Sequence, residues 1–377
     1  MRKRRYLAPW HRKVLDDNEL FMEGEEAAAA LEALKGKPAI YHCVSRIVNR
    51  EYLLGREEKE QFVRLMRCYE AFSQVSIHTF CVMSNHFHIL VEVPSAPEDG
   101  GASWSDERLL KHLGLIYDGA DLGKLRWELE HYRTQGNADA AEAFRARFFA
   151  RMWDLSEYMK IVKQRFTQWY NRTHGRRGVL WESRFESGLV EDGHAARRVA
   201  AYIDLNPVRA GIVSDPKDYR WSGYGEAVAG KVKARAGLRL VLFGDRATCA
   251  GEKRAARETN TWAKVMRTYR VILFGDGEES PRDQARRRAG IRRSRVQQVL
   301  EQGGKLSEAE LLWCRTRFFV DGLVIGSKAF VNRVFELSKG YFGERRRDGA
   351  RRMRQVDTPL CTMRDLRRDP LCLASPN

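Results

Sequence analysis

Between residues 75 and 94 the chain runs VSIHTFCVMSNHFHILVEVP, two stretches rich in β-branched and aromatic residues, separated by Ser84 and Asn85 and closed by Pro94. Runs of this kind, joined by turn residues, predict the two strands of a hairpin. A hairpin's register is set by which face is buried, so this stretch commits the chain to a sheet. Alternation along the second strand sends His86 and His88 to one face and Phe87 to the other. Two imidazoles side by side form half of a metal site, with Phe87 anchoring the strand from behind. Taken alone, the pair also fits an ordinary structural role, and only the rest of the chain can decide between the two.

The flanking pattern predicts what the hairpin packs against. Residues 38–48, PAIYHCVSRIV, predict another strand, and a helical period follows over 57–72 with Phe62, Leu65, Met66 and Tyr69 on one face. The order β–α–β–β points to an α+β fold, an antiparallel sheet flanked by helices. Residues 95–106 are a loop by composition, and 106–153 are polar and helical in period, so a helical insertion is expected over about 95–153. A helix over 155–174 follows, with Ser156 as its N-cap, a core stripe of Met159, Val162, Phe166 and Trp169, and Lys160, Lys163, Arg165 and Arg172 largely exposed. The run VLWESRFESGLV predicts a strand over 179–190. Asp192 and Gly193 then open a helix that runs to Asn206 and stops at Pro207.

Charge narrows the partners. The 377 residues hold 67 Lys plus Arg against 50 Asp plus Glu, a formal +17. Such a balance favours a polyanion, because neutralising phosphates releases condensed counterions. Residues 281–377 alone carry 22 basic against 11 acidic side chains. The run RDQARRRAGIRRSRVQQVLEQ within them reads either as a DNA-contacting helix or as a solvated charged face. Phe318, Phe319, Val324, Ile325, Phe330, Val334 and Phe335 supply a small core for this region. The division expected is a basic arm over 1–37 that touches DNA or stays disordered, a domain over 38–228, a connecting region over 229–280 and a basic, mainly helical domain over 281–377. The connecting region holds two similar octets, RLVLFGDR (239–246) and RVILFGDG (270–277). Seven scattered cysteines without a C-x-x-C pair argue for reduced thiols, a cytoplasmic setting and no zinc ribbon. No run approaches the ~18 apolar residues that span a bilayer.

A second chemical feature lies more than a hundred residues downstream. In AARRVAAYIDLNPVRAGIV, Tyr202 and Asn206 stand at i and i+4 and share a helix face. A phenol beside a divalent metal is a nucleophile suited to phosphodiester chemistry, provided the site helps a group of pKa ~10 to ionise. Spacing alone favours reading Tyr202 as a core aromatic on an amphipathic helix.

Four segments in order, YHCVSRIVNREYLLG (41–55), CVMSNHFHILVEVP (81–94), LWESRFESGLV (180–190) and AAYIDLNPVRAGIV (200–213), together resemble the single-tyrosine HUH transposases. These are bacterial insertion-sequence enzymes and, most nearly, the REP-associated tyrosine transposases. The resemblance covers about residues 38–225, and DPKDYRWSGYGEA (215–227) looks like the end of that domain. It implies a ferredoxin-like HUH nuclease fold and a DNA endonuclease and strand transferase acting on single-stranded or hairpin DNA, including repeated palindromes. His86 and His88 become the metal-binding pair, with Asn206 completing the shell around Mg²⁺ or Mn²⁺. Tyr202 becomes the nucleophile that forms a 5′-phosphotyrosine link. The linkage conserves bond energy, so no ATP is needed, in keeping with the absence of a G-x-x-x-x-G-K-[ST] loop.

The resemblance also suggests DNA contacts: His42 and Arg46 on the first strand, where a satisfied structural role fits equally, Arg184 in the W-x-x-R-F element, and Arg197, Arg198 and Arg209 around the tyrosine helix, each of which reads equally as an ordinary surface arginine. Trp181 and Phe185 of that element read as core. The expected setting is the cytoplasm, at the nucleoid, as a monomer or homodimer. Two other readings stay open: a non-catalytic DNA-binding regulator derived from such an enzyme, and a replication-initiator-type nickase, a class that often carries two tyrosines or a third metal-binding histidine. The long 95–153 insertion and the basic extension after about 230 depart from minimal relatives.

Overall fold

The computed structural model describes residues 6–11, 25–244 and 261–274 and, beyond these, 306–307, 312, 318–343, 345–352 and 356–364. The elements run α1 (Glu25–Leu34), β1 (Ala39–Arg46), α2 (Arg56–Phe72), β2 (Ser76–Val82), β3 (His86–Val93), α3 (Asp106–Leu113), α4 (Gly119–Thr134), α5 (Ala138–Phe149), α6 (Leu155–Thr173), β4 (Glu186–Val190) and α7 (His194–Asp204). There follow α8 (Asn206–Arg209), α9 (Gly223–Val228), α10 (Val232–Phe243), α11 (Trp262–Phe274), β5 (Leu306–Ser307), α12 (Phe318–Asp321), β6 (Val324–Gly326), α13 (Lys328–Glu336), β7 (Arg351–Arg352), β8 (Val356–Asp357) and β9 (Cys361–Met363).

The α+β expectation holds. Strands β2, β3, β1 and β4 are neighbours in that order and all antiparallel, with the hairpin turn at Ser84 and Asn85 closed by Met83 N–H donating to His86 O at 2.8 Å. The sheet then continues through β6, β9 and β7 to seven strands, β6 lying parallel to β4. It is therefore mixed. These added strands have two or three residues each, too short to show a period of two in the sequence.

Alternation divides the core between the two faces of the sheet. Tyr41, Cys43, Phe80, Phe87, Ile89 and Val91 face α2 and α6, where Phe87 meets Phe62 and Trp181 at ring separations of 4.6 and 5.3 Å. Ile40, Leu90, Cys81 and Val190 face α7, α10 and α11. Buried Ala195, Ala196, Ala200 and Ala201 on α7 are small enough to let that helix lie close to the strands.

Several local expectations change. The N-cap of α6 is Asp154, which accepts from Glu157 N–H at 2.9 Å, because helix entry falls two residues before Ser156. Lys163 is buried: its Nζ donates to Ser183 O at 2.9 Å and lies 5.2 Å from the Trp181 ring. Only Glu186–Val190 of the 179–190 run pairs as a strand, while Trp181 makes an isolated bridge to Ile47. Pro207 sits in the first turn of α8, just past the helix it ends.

Within the expected N-terminal arm, Tyr6, Ala8 and Trp10 are buried, and Ala8 N–H donates to the Tyr41 hydroxyl at 2.9 Å. Among the described residues, the apolar side chains beyond 318 build no separate core. Val324, Phe330, Val334 and Phe335 join the α2 side of the sheet, whereas Phe319 and Ile325 join the α7 side. The two octets end α10 and α11, and residues 245–246 of the first and 275–277 of the second, with the basic run at 282–302, lie outside the described residues.

Candidate active site

Register places the histidines. Arg46 stands opposite His86 and Val44 opposite His88, so His42, Val44, Arg46, His86 and His88 share the face covered by α7. His88 is 4% exposed and His42, one diagonal step away, 2%. The two rings are hydrogen-bonded, His42 Nε2 to His88 Nδ1 at 2.9 Å, and lie nearly in one plane at 24°. On its other side His42 Nδ1 meets the backbone carbonyl of Phe319 at 2.7 Å. His86 stands at 84° to His88 with ring centroids 5.1 Å apart, and its Nδ1 meets Asn85 Oδ1 at 2.7 Å.

Burial holds all three rings neutral, because an imidazolium there would lose its hydration. It pushes His42 down to about 4, against the opposing pull of the Phe319 carbonyl and Glu186. His86 is also pushed down to about 4, by burial first and then by Arg46 and Arg209. His88 falls well below the usual imidazole range, with His42 and His86 adding to the effect of burial.

The tyrosine comes to them on α7. Asp204, wholly buried two residues beyond Tyr202, ties that helix in place: it accepts from Thr79 on β2 at 2.9 Å, from the Tyr224 N–H at 3.2 Å and from the Tyr269 hydroxyl on α11 at 2.5 Å. The Tyr202 ring is then 6.1 Å from His88 and 6.2 Å from His42, edge-on to both, and 5.0 Å from Phe319. Tyr202 is 7% exposed. Asn206, one turn on, donates its amide to the carbonyls of Tyr202 and Ile203 at 3.2 and 3.1 Å.

Other sequence candidates fall into different settings. His42 does not line an open groove, being enclosed by His88, Tyr202 and Phe319. Arg209 is not a surface arginine either. It is 8% exposed, its guanidinium lies 4.2 Å from the Tyr202 ring, and it donates to the carbonyls of Tyr202 and Leu312 at 2.8 Å each. Arg46 pairs with Glu186 at 2.7 Å. Arg184 lies on the exposed loop that enters β4, and Arg197 and Arg198 are half-buried on α7. Asn85, Glu186 and the carbonyls of Leu312 and Phe319 escaped the sequence reading. Asn85 adjoins His86 and could have been found; a backbone carbonyl leaves no trace in residue type.

The donor set suits a divalent ion. His86 uses Nδ1 on the Asn85 carboxamide oxygen, which only accepts, so its Nε2 keeps a lone pair. Among the described residues no three His, Cys, Asp or Glu side chains gather to hold a metal. An ion held here would therefore need an amide oxygen and exogenous oxygens beside the two imidazoles, a mixed set that Mn²⁺ and Mg²⁺ accept.

Comparison with known proteins bears out the family resemblance over part of the chain. Residues 37–98, the span of β1 to β3, match the IS200-like transposases. No curated protein matches the chain. One similar solved structure is that of a REP-associated tyrosine transposase bound to a REP hairpin, at 14% identity and a TM-score of 0.32, over 51% of this chain and 80% of that one. The family match supports a transposase-like role in DNA processing, with DNA as the partner. Among the described residues no helix is long and apolar enough to cross a membrane.

Proposed function

We propose that the chain is a metal-dependent DNA endonuclease and strand transferase that cleaves single-stranded or hairpin DNA through Tyr202. The observation that carries this reading is the edge-on approach of the Tyr202 ring to His88 at 6.1 Å. Tyr202 and His88, 114 positions apart in the sequence, are thus buried side by side. The phenol oxygen bonds to phosphorus, the P–O3′ bond breaks, and the phenolic proton ends on the departing 3′ hydroxyl. The product is a 5′-phosphotyrosine link whose bond energy is kept for rejoining.

His86 and His88 through Nε2, with the amide oxygen of Asn206, would hold Mg²⁺ or Mn²⁺. Such an ion, when bound, supplies positive charge against the scissile phosphate. The chain's own cation beside the phenol is Arg209, whose guanidinium sits over the ring. Tyr202 is nearly sealed, and this favours a second reading as a DNA-binding regulator without chemistry.

The test is covalent trapping. Labelled single-stranded and hairpin oligonucleotides with Mn²⁺ are expected to give adducts with the native chain that survive denaturing gels, and none with Tyr202→Phe. Adducts in that variant would refute the assignment of Tyr202. Tight binding with no adduct from the native chain would favour the regulator.

A further inference from the structure

His42 connects the histidine strand to residue 319, far outside the family-matched segment. The direction of each hydrogen bond in this connection follows from chemistry. A carbonyl oxygen only accepts, so the 2.7 Å contact with Phe319 O places a proton on His42 Nδ1. A charged ring at 2% exposure would carry a heavy desolvation cost, so His42 is neutral and its Nε2 is bare. His88 Nδ1, at 2.9 Å from that Nε2, must then be the donor. The near-coplanar rings suit an in-plane N–H···N bond and not face-to-face stacking. His88, itself buried and neutral, is left with its lone pair on Nε2.

We propose that His42 is a positioning residue that relays the orientation of the Phe319 carbonyl to His88, locking the His88 tautomer that presents a bare Nε2. Metal-binding histidines are commonly fixed in this way through their second nitrogen. Here the fixing group is a second imidazole, and what fixes that imidazole is a backbone carbonyl of the C-terminal region. The same residue, through its ring, packs on Tyr202 at 5.0 Å. One position of that region thus supports both halves of the site. The use made of the tautomer rests on the proposed metal-binding role of His88, but the tautomer itself is a property of the metal-free protein.

Long-range ¹H–¹⁵N correlation on the metal-free, histidine-labelled full chain separates protonated from bare ring nitrogens. His88 is expected with its proton on Nδ1. His42→Phe, which keeps a ring and removes both nitrogens, should convert His88 to the Nε2–H tautomer or a mixture, and weaken Mn²⁺ binding, read by paramagnetic resonance, by about 10–100-fold. His42→Gln can donate to Phe319 O and accept from His88, so it should restore the Nδ1–H form and most of the affinity. An Nε2–H tautomer in the native chain, or an unchanged His88 in His42→Phe, would overturn the relay. If His42→Phe does not fold, the native spectrum and His42→Gln decide: loss of the Nδ1–H form in the Gln variant counts against the relay. A native chain that shows Nδ1–H on His88 yet binds no Mn²⁺ would refute the metal reading and leave the relay supported.

Discussion

Arg209 sits over the Tyr202 ring, its Cζ 4.2 Å from the ring centroid, while its Nη2 donates to the carbonyl of the same tyrosine at 2.8 Å. A buried cation usually meets a carboxylate. Two backbone carbonyls and a π face are among the groups that hold this one, and they fix its position over the phenol ring. Its second carbonyl belongs to Leu312, which ties α8 to the C-terminal region.

Arg209→Met keeps the aliphatic stem and removes every donor, leaving the carbonyls of Tyr202 and Leu312 without this partner. A loss of about 2–4 kcal/mol is expected in urea unfolding. Arg209→Lys should recover only part of it, since one ammonium cannot reproduce the planar fork. A loss below about 0.5 kcal/mol in the Met variant would show that water replaces the guanidinium.

Tyr202→Phe retains the ring that packs on Phe319, His88 and Arg209. Stability should change by less than about 1 kcal/mol and DNA affinity by less than about twofold, while adduct formation is abolished. Fluorescence anisotropy and gel trapping on the same preparation separate these effects.

Asn85→Ala removes the oxygen that accepts from His86 Nδ1. The ring can then rotate or change tautomer, and Mn²⁺ affinity is expected to fall roughly tenfold, as it does when an outer partner of a ligand is lost. Calorimetric titration with Mn²⁺ measures it; an unchanged Kd would show that packing alone orients His86.

These predictions depend unequally on what the sequence discloses. The hairpin was legible because Ile89, Leu90, Val91 and Val93 are bounded by Ser84–Asn85 and Pro94, and its parity placed Phe87 and the histidines on opposite faces. Helices α2 and α6 were legible from the apolar spacing of Phe62 and Met66, and of Met159, Val162 and Phe166. The environment of His42 and Arg209 was not. His42 read equally as a group lining the DNA groove or as a satisfied structural one, and Arg209 as a DNA contact or a surface arginine, because residue type alone does not name the partner. Their actual partners are the carbonyls of residues 319 and 312, and every residue type carries a carbonyl. The three strands that extend the sheet beyond β4, namely β6, β9 and β7, were invisible for a different reason: two or three residues contain no period, and only pairing onto the edge of β4 and then onto one another defines them.

Asp204 gives stability a pH dependence. Burial raises its carboxyl to about 7, against ~3.9 when unfolded. The folded state therefore prefers the protonated form, and the unfolded state loses that proton first. The contribution is full below about pH 4, declines as pH rises from about 4 to 7, and is level above. Asp204→Asn imitates the protonated form and should lack that decline. The difference in unfolding free energy, native minus variant, is expected to fall by a few kcal/mol between pH 4.5 and 7.5, on the order set by the size of the shift. A pH-independent difference would place the carboxyl in the ordinary range.

Gly223 opens α9 where the chain crosses the edge of β2. A Cβ there would fall 2.2 Å from Thr79 Oγ1 and 2.8 Å from Thr79 Cα. Gly223→Ala must push α9 from the strand and disturb the Thr79–Asp204 bond, so a loss of about 1–3 kcal/mol is expected. Thermal unfolding of the variant tests it, and a Tm equal to that of the native chain would mean the edge yields without cost.

The parallel pairing of β6 with β4 also bears on how the chain is born. A ribosome that has produced residues 1–230 has released β2, β3, β1 and β4, along with both the histidines and the tyrosine. The outer edge of β4 is at that moment an unmatched row of amides and carbonyls, open to any extended segment nearby. It is closed only when Val324–Gly326 emerges, and Phe319, five residues ahead of that strand, arrives with it. Synthesis therefore covers the edge of β4 and encloses His42 in the same interval, so a chain ended before residue 319 would carry the motif residues beside an unpaired edge.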